Sequence, residues 1–470
     1  MFVIPDPLIS LQNLDLDGFS PGQNHGTVFR QQRQPVHQPE QMMAKTGRMW
    51  QGLTTMRQET SNDEPARRHL LGMLAANSRL FSPVGAVLKA DQWSQLQHMA
   101  RQHRLEPLLC DAACSKPDSW AIPLAIQRDW AAAFRDSAMQ ALALQGTLIR
   151  LDGILSGAGI AYAALKGARL AWHAYRHPAL RPMRDLDILV SPERMRETWD
   201  RLVDHGFSAG PGYALPADGG LAVHKHLPAL RDPASEVHVE VHSRLFEHLD
   251  AAHIGAAMSN ADGLLADRVW LALGPTKIAY LPATEALLHL IVHSAYEHHF
   301  ENGPQVLHDL AAQMECEVID WPRFWRLARE GGWERGCHLL LQLTEEFLGE
   351  QPIDWGPDSR AAIPRQVLDK SALLMLQDPD LRQDLSVQVQ LAAQAGSAWA
   401  KAWRLLARLF VRSEVVAAYA GLAPDHPRIW LHYPRWLVSR LARTLAGKLN
   451  RHQQAEVSRA SAVEAWLGGN

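Results

Sequence analysis

The chain has 470 residues, 47% of them hydrophobic, so it is too long for one ordinary domain and can form roughly two to four folded units. Its 47 basic and 50 acidic residues give a formal net charge of −3, which argues against a generally basic nucleic-acid-binding protein. The sequence has neither a signal-peptide pattern nor an apolar run of membrane length, and its four scattered cysteines fit a reducing compartment. We therefore expect a cytoplasmic protein.

The N-terminal segment, residues 1–66, differs in composition from the rest of the chain. Five glutamines and two prolines cluster between residues 31 and 41, and no apolar periodicity persists. Such a segment cannot bury enough apolar surface to offset its ordering entropy, so we expect it to be disordered. Later methionines offer alternative start sites, which leaves open whether the segment belongs to the native protein.

Helical periodicity predicts helical regions on both sides of a central segment. Residues 67–157 form the N-terminal region, residues 251–350 form a region that completes a cleft, and residues 351–470 form the C-terminal region. Within the last region, residues 399–452 contain ten basic and two acidic residues with interleaved tryptophans. We expect a helical region with a basic face, while binding to RNA, an acidic partner or a membrane surface stays open.

The central segment, residues 158–250, is the only stretch in which strands and helices alternate convincingly. Ser191 and Pro192 provide an N-cap and a first-turn proline for one of its helices. The predicted elements are a strand at 160–165, a short helix, a strand at 185–190, a helix ending near 205, and two strands at 221–231 and 236–242 joined by a turn.

Two aspartates on the second predicted strand are the centre of the functional hypothesis. Residues i and i+2 of a strand point to the same face, so Asp185 and Asp187 stand side by side while Leu186, Ile188 and Val190 face the core. Two adjacent carboxylates repel unless a cation lies between them, and oxygen ligands suit Mg²⁺ or Mn²⁺. The alternative is an exposed strand face that happens to carry acids.

Glu240 is a third candidate carboxylate. His238 and His242 share its face of the predicted strand, while valines occupy the other face. An acid on a core strand is costly to bury without a partner, and a metal ion beside Asp185 and Asp187 would be such a partner. A glutamate on an edge strand facing water is the alternative.

The tripeptide Lys166-Gly167-Ala168 lies at a predicted junction between a strand and a helix. A glycine there lets the backbone approach a phosphate, whose charge helix N–H groups and Lys166 or Arg169 can hold. The pattern is weak by itself, because any tight strand–helix turn can use glycine.

Several histidines have simpler interpretations. His289 and His293 are four residues apart on an apolar predicted helix, which favours core and cleft lining over metal binding. His224, Lys225 and His226 lie on a predicted hairpin, where we expect a solvated strand face, while contact with the acceptor or a phosphate is the alternative.

The motifs of the central segment occur in one order: Leu165-Lys166-Gly167, Tyr175, Arg181-Pro182-Met183-Arg184-Asp185-Leu186-Asp187-Ile188-Leu189-Val190, and Val239-Glu240-Val241-His242. This order resembles the nucleotidyltransferases of the DNA polymerase β-like superfamily, and most of all a bacterial, largely uncharacterised branch. The likeness is strong over about 80 residues and continues more weakly through residues 287–293 and 308–310, where His293 and Asp309 would face the cleft.

The resemblance implies an α+β fold in which a polymerase β-like core, a small mixed sheet with helices, is flanked by α-helical domains. It also implies that Asp185, Asp187 and Glu240 are catalytic and hold Mg²⁺ or Mn²⁺, and that these ions bridge the phosphates of an NTP, ATP among them. Glu240 could instead take the proton of the acceptor.

The resemblance further implies a nucleotide-binding element. Lys166, Gly167 and Ala168 would grip the β- and γ-phosphates, although Ala168 stands where the superfamily often has Ser or Gly, so a hydroxyl contact is lost. Arg181 and Arg184, just before the metal strand, are candidates for neutralising phosphate charge, or else surface charges that pair with nearby acids.

We therefore expect a Mg²⁺-dependent nucleotidyltransferase that moves a nucleoside monophosphate from an NTP to a hydroxyl or phosphate of an unidentified acceptor. A small molecule, a peptide or protein, and a tRNA end are all open as acceptors, and nucleic acid is expected only in that short form. A non-catalytic nucleotide-binding or scaffold protein and a phosphotransferase on the same fold are the alternatives.

Overall fold

The computed structural model describes residues 63–75, 88–115, 120–209, 225–246, 256–356, 360–378, 416, 429–437 and 451–469. Most of the segment predicted to be disordered, most of the basic segment 399–452, and residues 221–224 of a predicted strand lie outside these ranges. Within the described ranges, no helix combines the length and the apolar character that crossing a membrane requires.

Six strands form one mixed sheet. They are β1 (Tyr162–Ala164), β2 (Asp185–Val190), β3 (Leu230–Arg231), β4 (His238–His242), β5 (Val269–Leu273) and β6 (Thr276–Tyr280). Their order in the sheet is β3-β4-β2-β1-β6-β5. Strand β2 is parallel to β4 and β1 is parallel to β6, whereas the other neighbours are antiparallel. The predicted α+β fold with a small mixed sheet is confirmed.

Helices precede, interrupt and follow the sheet strands. In the described residues they are α1 (Glu64–Leu74), α2 (Ala90–Gln102), α3 (Glu106–Ser115), α4 (Leu124–Gly157), α5 (Gly167–His173), α6 (Met195–Asp204), α7 (Ala256–Ser259), α8 (Ala261–Ala266), α9 (Ala283–Val292), α10 (Gln305–Cys316), α11 (Trp321–Glu330), α12 (Glu334–Leu348), α13 (Arg365–Leu374) and α14 (Arg451–Leu467). Helix α9 continues into a π-helical turn, His293–Glu297.

The sheet lies between two helical layers. On one face Leu151 of α4 and Trp199 of α6 pack in a single cluster with Ile188 of β2. On the other face Leu189 of β2 joins a larger cluster with helices of the second half of the chain, including Leu288 of α9. Because side chains alternate along β2, its aspartates lie on the second of these faces.

The observed strands of the central segment agree with the predicted ones to different degrees. Strand β2 has the predicted bounds, and Leu186, Ile188 and Val190 are fully buried as expected. Strand β1 is shorter than the predicted 160–165. Of the predicted strand 221–231, the described residues 225–231 form a strand only at Leu230–Arg231, and His226 meets β4 through an isolated bridge.

The start of α6 differs from the prediction in one detail. A short 3-10 turn, Pro192–Arg194, precedes the helix, and the side chain of Ser191 makes no capping hydrogen bond. The proline therefore fixes the entry into the helix without the predicted serine cap.

The hairpin formed by β5 and β6 was not predicted. The sheet extends to Tyr280, so residues 251–350, predicted as a helical region, also contribute two strands. Gly274, with a φ of 59°, forms the turn together with Pro275. The available sequence signal was the apolar run Val269–Leu273 followed by the turn residues Gly274 and Pro275. In the structure Trp270 is 45% exposed on this sheet edge.

The first described helix connects the two ends of the described chain. Helix α1 begins at Glu64, three residues before the predicted boundary at 67, and Ala66 is fully buried. The guanidinium of Arg67 lies 2.6 Å from the carboxylate of Glu456 in α14 and 2.8 Å from that of Asp63. Both Arg67 and Glu456 are buried, so α1 and α14 share a buried ion pair.

Candidate active site

The three predicted carboxylates lie together at one end of the paired strands β2 and β4. Asp187 is directly opposite Glu240 in the parallel register, and Asp185 precedes it on the same face. All three line one cavity of about 580 Å³ between the sheet and the helices of the second layer. Asp187 is 8% exposed, while the side chain of Glu240 is 26% exposed. The structure therefore brings the predicted acids to one cleft.

His242 joins this group, although no role was predicted for it. Its Nε2–H donates to Asp187 Oδ1 at 2.8 Å, and Nε2 lies 3.5 Å from Glu240 Oε2. In the described residues, Asp187, Glu240 and His242 form the one group whose donor atoms all lie within 4.8 Å of one another, as metal ligands would. Its place two residues after Glu240, on the same face, was the available sequence signal.

Lys166 supplies a cation to the same carboxylates. Its Nζ lies 3.1 Å from Asp187 Oδ2, so Lys166 and His242 occupy the two oxygens of Asp187. The backbone at Lys166 has φ 49° and ψ −121°, a conformation that residues other than glycine rarely adopt. Such strain persists only when the surroundings over-determine it, and it concentrates at functional sites.

The charges of the site perturb each other's protonation. Burial raises the pKa of Asp185, and the adjacent charge of Asp187 raises it further. Burial also favours neutral Asp187, but Lys166 and the hydrogen bond from His242 outweigh it and lower the pKa of Asp187 well below its ordinary value. Against the effect of burial, the same histidine lowers the pKa of Glu240. Three carboxylates thus share one ammonium group, and a bound divalent cation would neutralise the excess negative charge.

Gly167 is required by close contacts. A Cβ at this position would lie 2.6 Å from Arg181 Nη1 and 2.6 Å from Met183 Sδ, well inside van der Waals contact. The amide of Ala168 donates to the carbonyl of Leu165 at 3.2 Å, so it is not a free donor to the cavity as predicted. Close packing against Arg181 and Met183 is therefore enough to explain the glycine.

The two predicted phosphate-binding arginines have different environments. Arg181 donates to both carboxylate oxygens of Asp309, at 3.2 and 2.9 Å, and Tyr175 donates to Asp309 at 2.7 Å. Arg184 is exposed at the cavity and forms no ion pair with any described residue. Arg169, the alternative to Lys166, instead pairs with Glu317 at 2.7 Å. Arg184 is thus the arginine with a charge available to a ligand.

The opposite wall of the cavity carries a second polar cluster. Lys225 Nζ and His293 Nδ1 lie 2.9 and 2.8 Å from the same oxygen, Glu297 Oε2. Lys225 is only 6% exposed, so the predicted solvated strand face is wrong at this residue, because Glu297 compensates its charge inside the fold. His289 is buried and His293 lines the cavity, which confirms core and cleft lining for this pair.

Comparison with known proteins assigns this chain to a protein family. Residues 89–349 match the model of a protein family described as uncharacterised nucleotidyltransferase. The match covers more than half of the chain and includes the whole sheet and both walls of the cavity. No curated protein matches the chain.

Proposed function

Because the chain belongs to this family of uncharacterised nucleotidyltransferases, we propose that it transfers a nucleoside monophosphate from an NTP, with Mg²⁺ or Mn²⁺, to a hydroxyl or phosphate of an acceptor. We further propose that its core is of the polymerase β-like type. The observation that carries the proposal is the convergence of Asp185, Asp187 and Glu240 on one cavity of about 580 Å³. This volume falls within the roughly 300–1,000 Å³ typical of small-molecule sites.

The donor atoms at the cleft fit a divalent cation. Asp185, Asp187 and Glu240 offer the carboxylate oxygens that Mg²⁺ and Mn²⁺ prefer, and His242 holds Asp187 in place by a hydrogen bond. A bound cation would supply charge neutralisation for the phosphates and acidify an attacking hydroxyl. Asp187 holds its position through Lys166 and His242, so the protein orients this ligand before any ion binds.

The basic residues of the cleft divide into binding and positioning groups. Lys166 and Arg184 carry charge toward the cavity, and we assign them to the triphosphate. Arg181 is already neutralised by Asp309 and packs against Gly167, so we assign it to holding the Lys166-Gly167 turn in place. This division revises the predicted role of Arg181 from a phosphate ligand to a positioning residue.

The proposed catalytic core includes the hairpin. We place it at residues 158–280, because β6 pairs with β1 and completes the sheet. The helical regions before and after it would recognise the acceptor, for which a small molecule, a peptide or protein, and a tRNA end remain candidates.

Labelled nucleotides test the proposal. Purified protein, MgCl₂ or MnCl₂, and each of the four NTPs labelled at the α-phosphate are incubated with fractionated cell extract. We expect release of pyrophosphate and transfer of the α-label, both abolished by EDTA and by Asp185→Asn combined with Asp187→Asn. Asp200→Asn, an exposed acid on α6, is the matched control and should retain activity.

The same incubation, repeated with NTPs labelled at the γ-phosphate, separates the alternatives. Transfer of a γ-phosphate label in place of the α-label would identify a phosphotransferase. NTP binding that yields no product with any fraction would identify a non-catalytic binding protein, and either result contradicts the proposed nucleotidyl transfer.

A further inference from the structure

The polar cluster opposite the carboxylates has the arrangement of an oriented base. Glu297 Oε2 accepts from Lys225 Nζ at 2.9 Å and lies 2.8 Å from His293 Nδ1. The side chains of Lys225, His293 and Glu297 are only 7, 12 and 9% exposed. Because the carboxylate is held from two sides, it fixes the plane and position of the imidazole ring.

The hydrogen bonds also fix which nitrogen of His293 is free. An ionised carboxylate only accepts hydrogen bonds, so Nδ1 must carry a proton and donate it to Glu297. In the neutral imidazole the lone pair is then on Nε2. Nε2 has no hydrogen-bond partner among the described residues, and the side chain lines the cavity. A neutral acceptor nitrogen is thus presented to whatever occupies the cleft.

The surroundings keep this imidazole neutral. Burial is the largest effect, and the nearby charge of Lys166 adds to it, so that the pKa of His293 lies well below its ordinary value. Lys166 is also the residue that pairs with Asp187, and all three residues line the same cavity.

The backbone around the cluster is unusual in two independent ways. His293–Glu297 forms a π-helical turn at the end of α9, and such turns occur frequently at functional sites. Directly after it, His299 and Phe300 have φ values of 45° and 68°, which are strained for residues other than glycine. A buried Lys225–Glu297 ion pair in addition carries a desolvation cost. Features of this kind occur frequently at functional sites, which is consistent with a role for this cluster in the cleft.

We propose that His293 is the general base of the transfer reaction, and that Glu297 and Lys225 position it. The inference rests on the proposed nucleotidyl transfer and adds the proton path. The acceptor is therefore a hydroxyl compound: its O–H proton moves to Nε2 of His293 and its oxygen bonds to the α-phosphorus. The bond from that phosphorus to the β-phosphate oxygen breaks, and the electron pair leaves with pyrophosphate. Water that enters the cleft reacts by the same path and gives the nucleoside monophosphate.

The test uses the full chain with MgCl₂ and each α-labelled NTP, with water and the extract fractions as acceptors. For His293→Ala we expect pyrophosphate release to fall by about 10²–10³-fold. Its dissociation constant for a non-cleavable α,β-methylene NTP should stay within about twofold of wild type, since a base acts on the acceptor. Added imidazole should raise the rate of the His293→Ala variant at least about tenfold, which would not happen if the variant had only lost packing. Glu297→Gln should reduce the rate without losing nucleotide affinity.

His98→Ala, an exposed histidine on α2, is the matched control, and it should show neither the loss nor the response to imidazole. Thermal melting of each variant verifies that it is folded. The inference alone is overturned if wild type is active and His293→Ala keeps its rate within about threefold, loses nucleotide affinity about tenfold, or fails to respond to imidazole. Wild-type protein that releases no pyrophosphate from any NTP overturns the proposed function and this inference together.

Discussion

Replacing Gly167 by alanine tests the close packing on which the nucleotide-binding turn depends. The added methyl carbon would lie 2.6 Å from both Arg181 Nη1 and Met183 Sδ. Neither neighbour can move freely, because Arg181 is held by two hydrogen bonds to Asp309 and Met183 is buried. Overpacking of this kind costs about 1–3 kcal/mol, and partial loss of the buried ion pair adds to it.

We therefore expect Gly167→Ala to reduce the free energy of unfolding by about 2–4 kcal/mol and the melting temperature by roughly 5–10 °C. Differential scanning fluorimetry measures the melting temperature, and titration with a non-cleavable NTP measures the accompanying loss of nucleotide affinity. Gly153→Ala in α4 is the matched control, because a Cβ there meets nothing within 4 Å. That exposed helical position should gain about 0.5–1 kcal/mol. A Gly167→Ala protein that melts within about 1 °C of wild type, with unchanged affinity, would refute the reasoning.

Two further predictions concern buried charge. Asp309→Asn should destabilise the protein by about 3–5 kcal/mol, because it leaves Arg181 without its buried partner. Asp200→Asn, at an exposed ion pair, should change stability by at most about 1 kcal/mol. Urea unfolding compares the two variants, and equal effects would contradict a buried ion pair between Arg181 and Asp309. Burial, with the charge of Arg67, lowers the pKa of His103 from 6.5 to about 4, so between these values the unfolded chain binds a proton that the folded protein does not. The free energy of unfolding should therefore fall as the pH drops from 6.5 to 4, and this residue should contribute up to about 3 kcal/mol of the loss. His103→Gln should remove that part of the pH dependence. An unchanged dependence of the free energy of unfolding on pH would show that His103 is not the cause.

Local patterns predicted the parts of the site that depend on one strand. The alternation of Asp185-Leu-Asp-Ile-Leu-Val190 gave β2 its observed bounds and placed both aspartates on one face, because side-chain direction in a strand depends only on the parity of position. Glu240 was placed on its face in the same way. The resemblance then suggested that these two strands act together.

Contacts between distant residues could not be predicted in this way. Arg181 was expected to bind phosphate, but its partner Asp309 lies 128 residues further along the chain, and no local pattern joins them. The sequence predicts Lys225 as a surface cation, because no local pattern shows that Glu297 of the π-helical turn lies beside it. Strands β5 and β6 were missed because a short apolar run such as Val269–Leu273 cannot be distinguished by periodicity from a segment of a buried helix.

The buried pair between α1 and α14 has a consequence for synthesis in the cell. Arg67 is made about 390 residues before Glu456, so a ribosome adding about 5–20 residues per second leaves it without this partner for about 20–80 s. During that interval Asp63 is present beside Arg67, but Glu456 is not. The nascent chain therefore completes this part of its fold only after α14 has been synthesised, and chaperones have access to Arg67 during the interval.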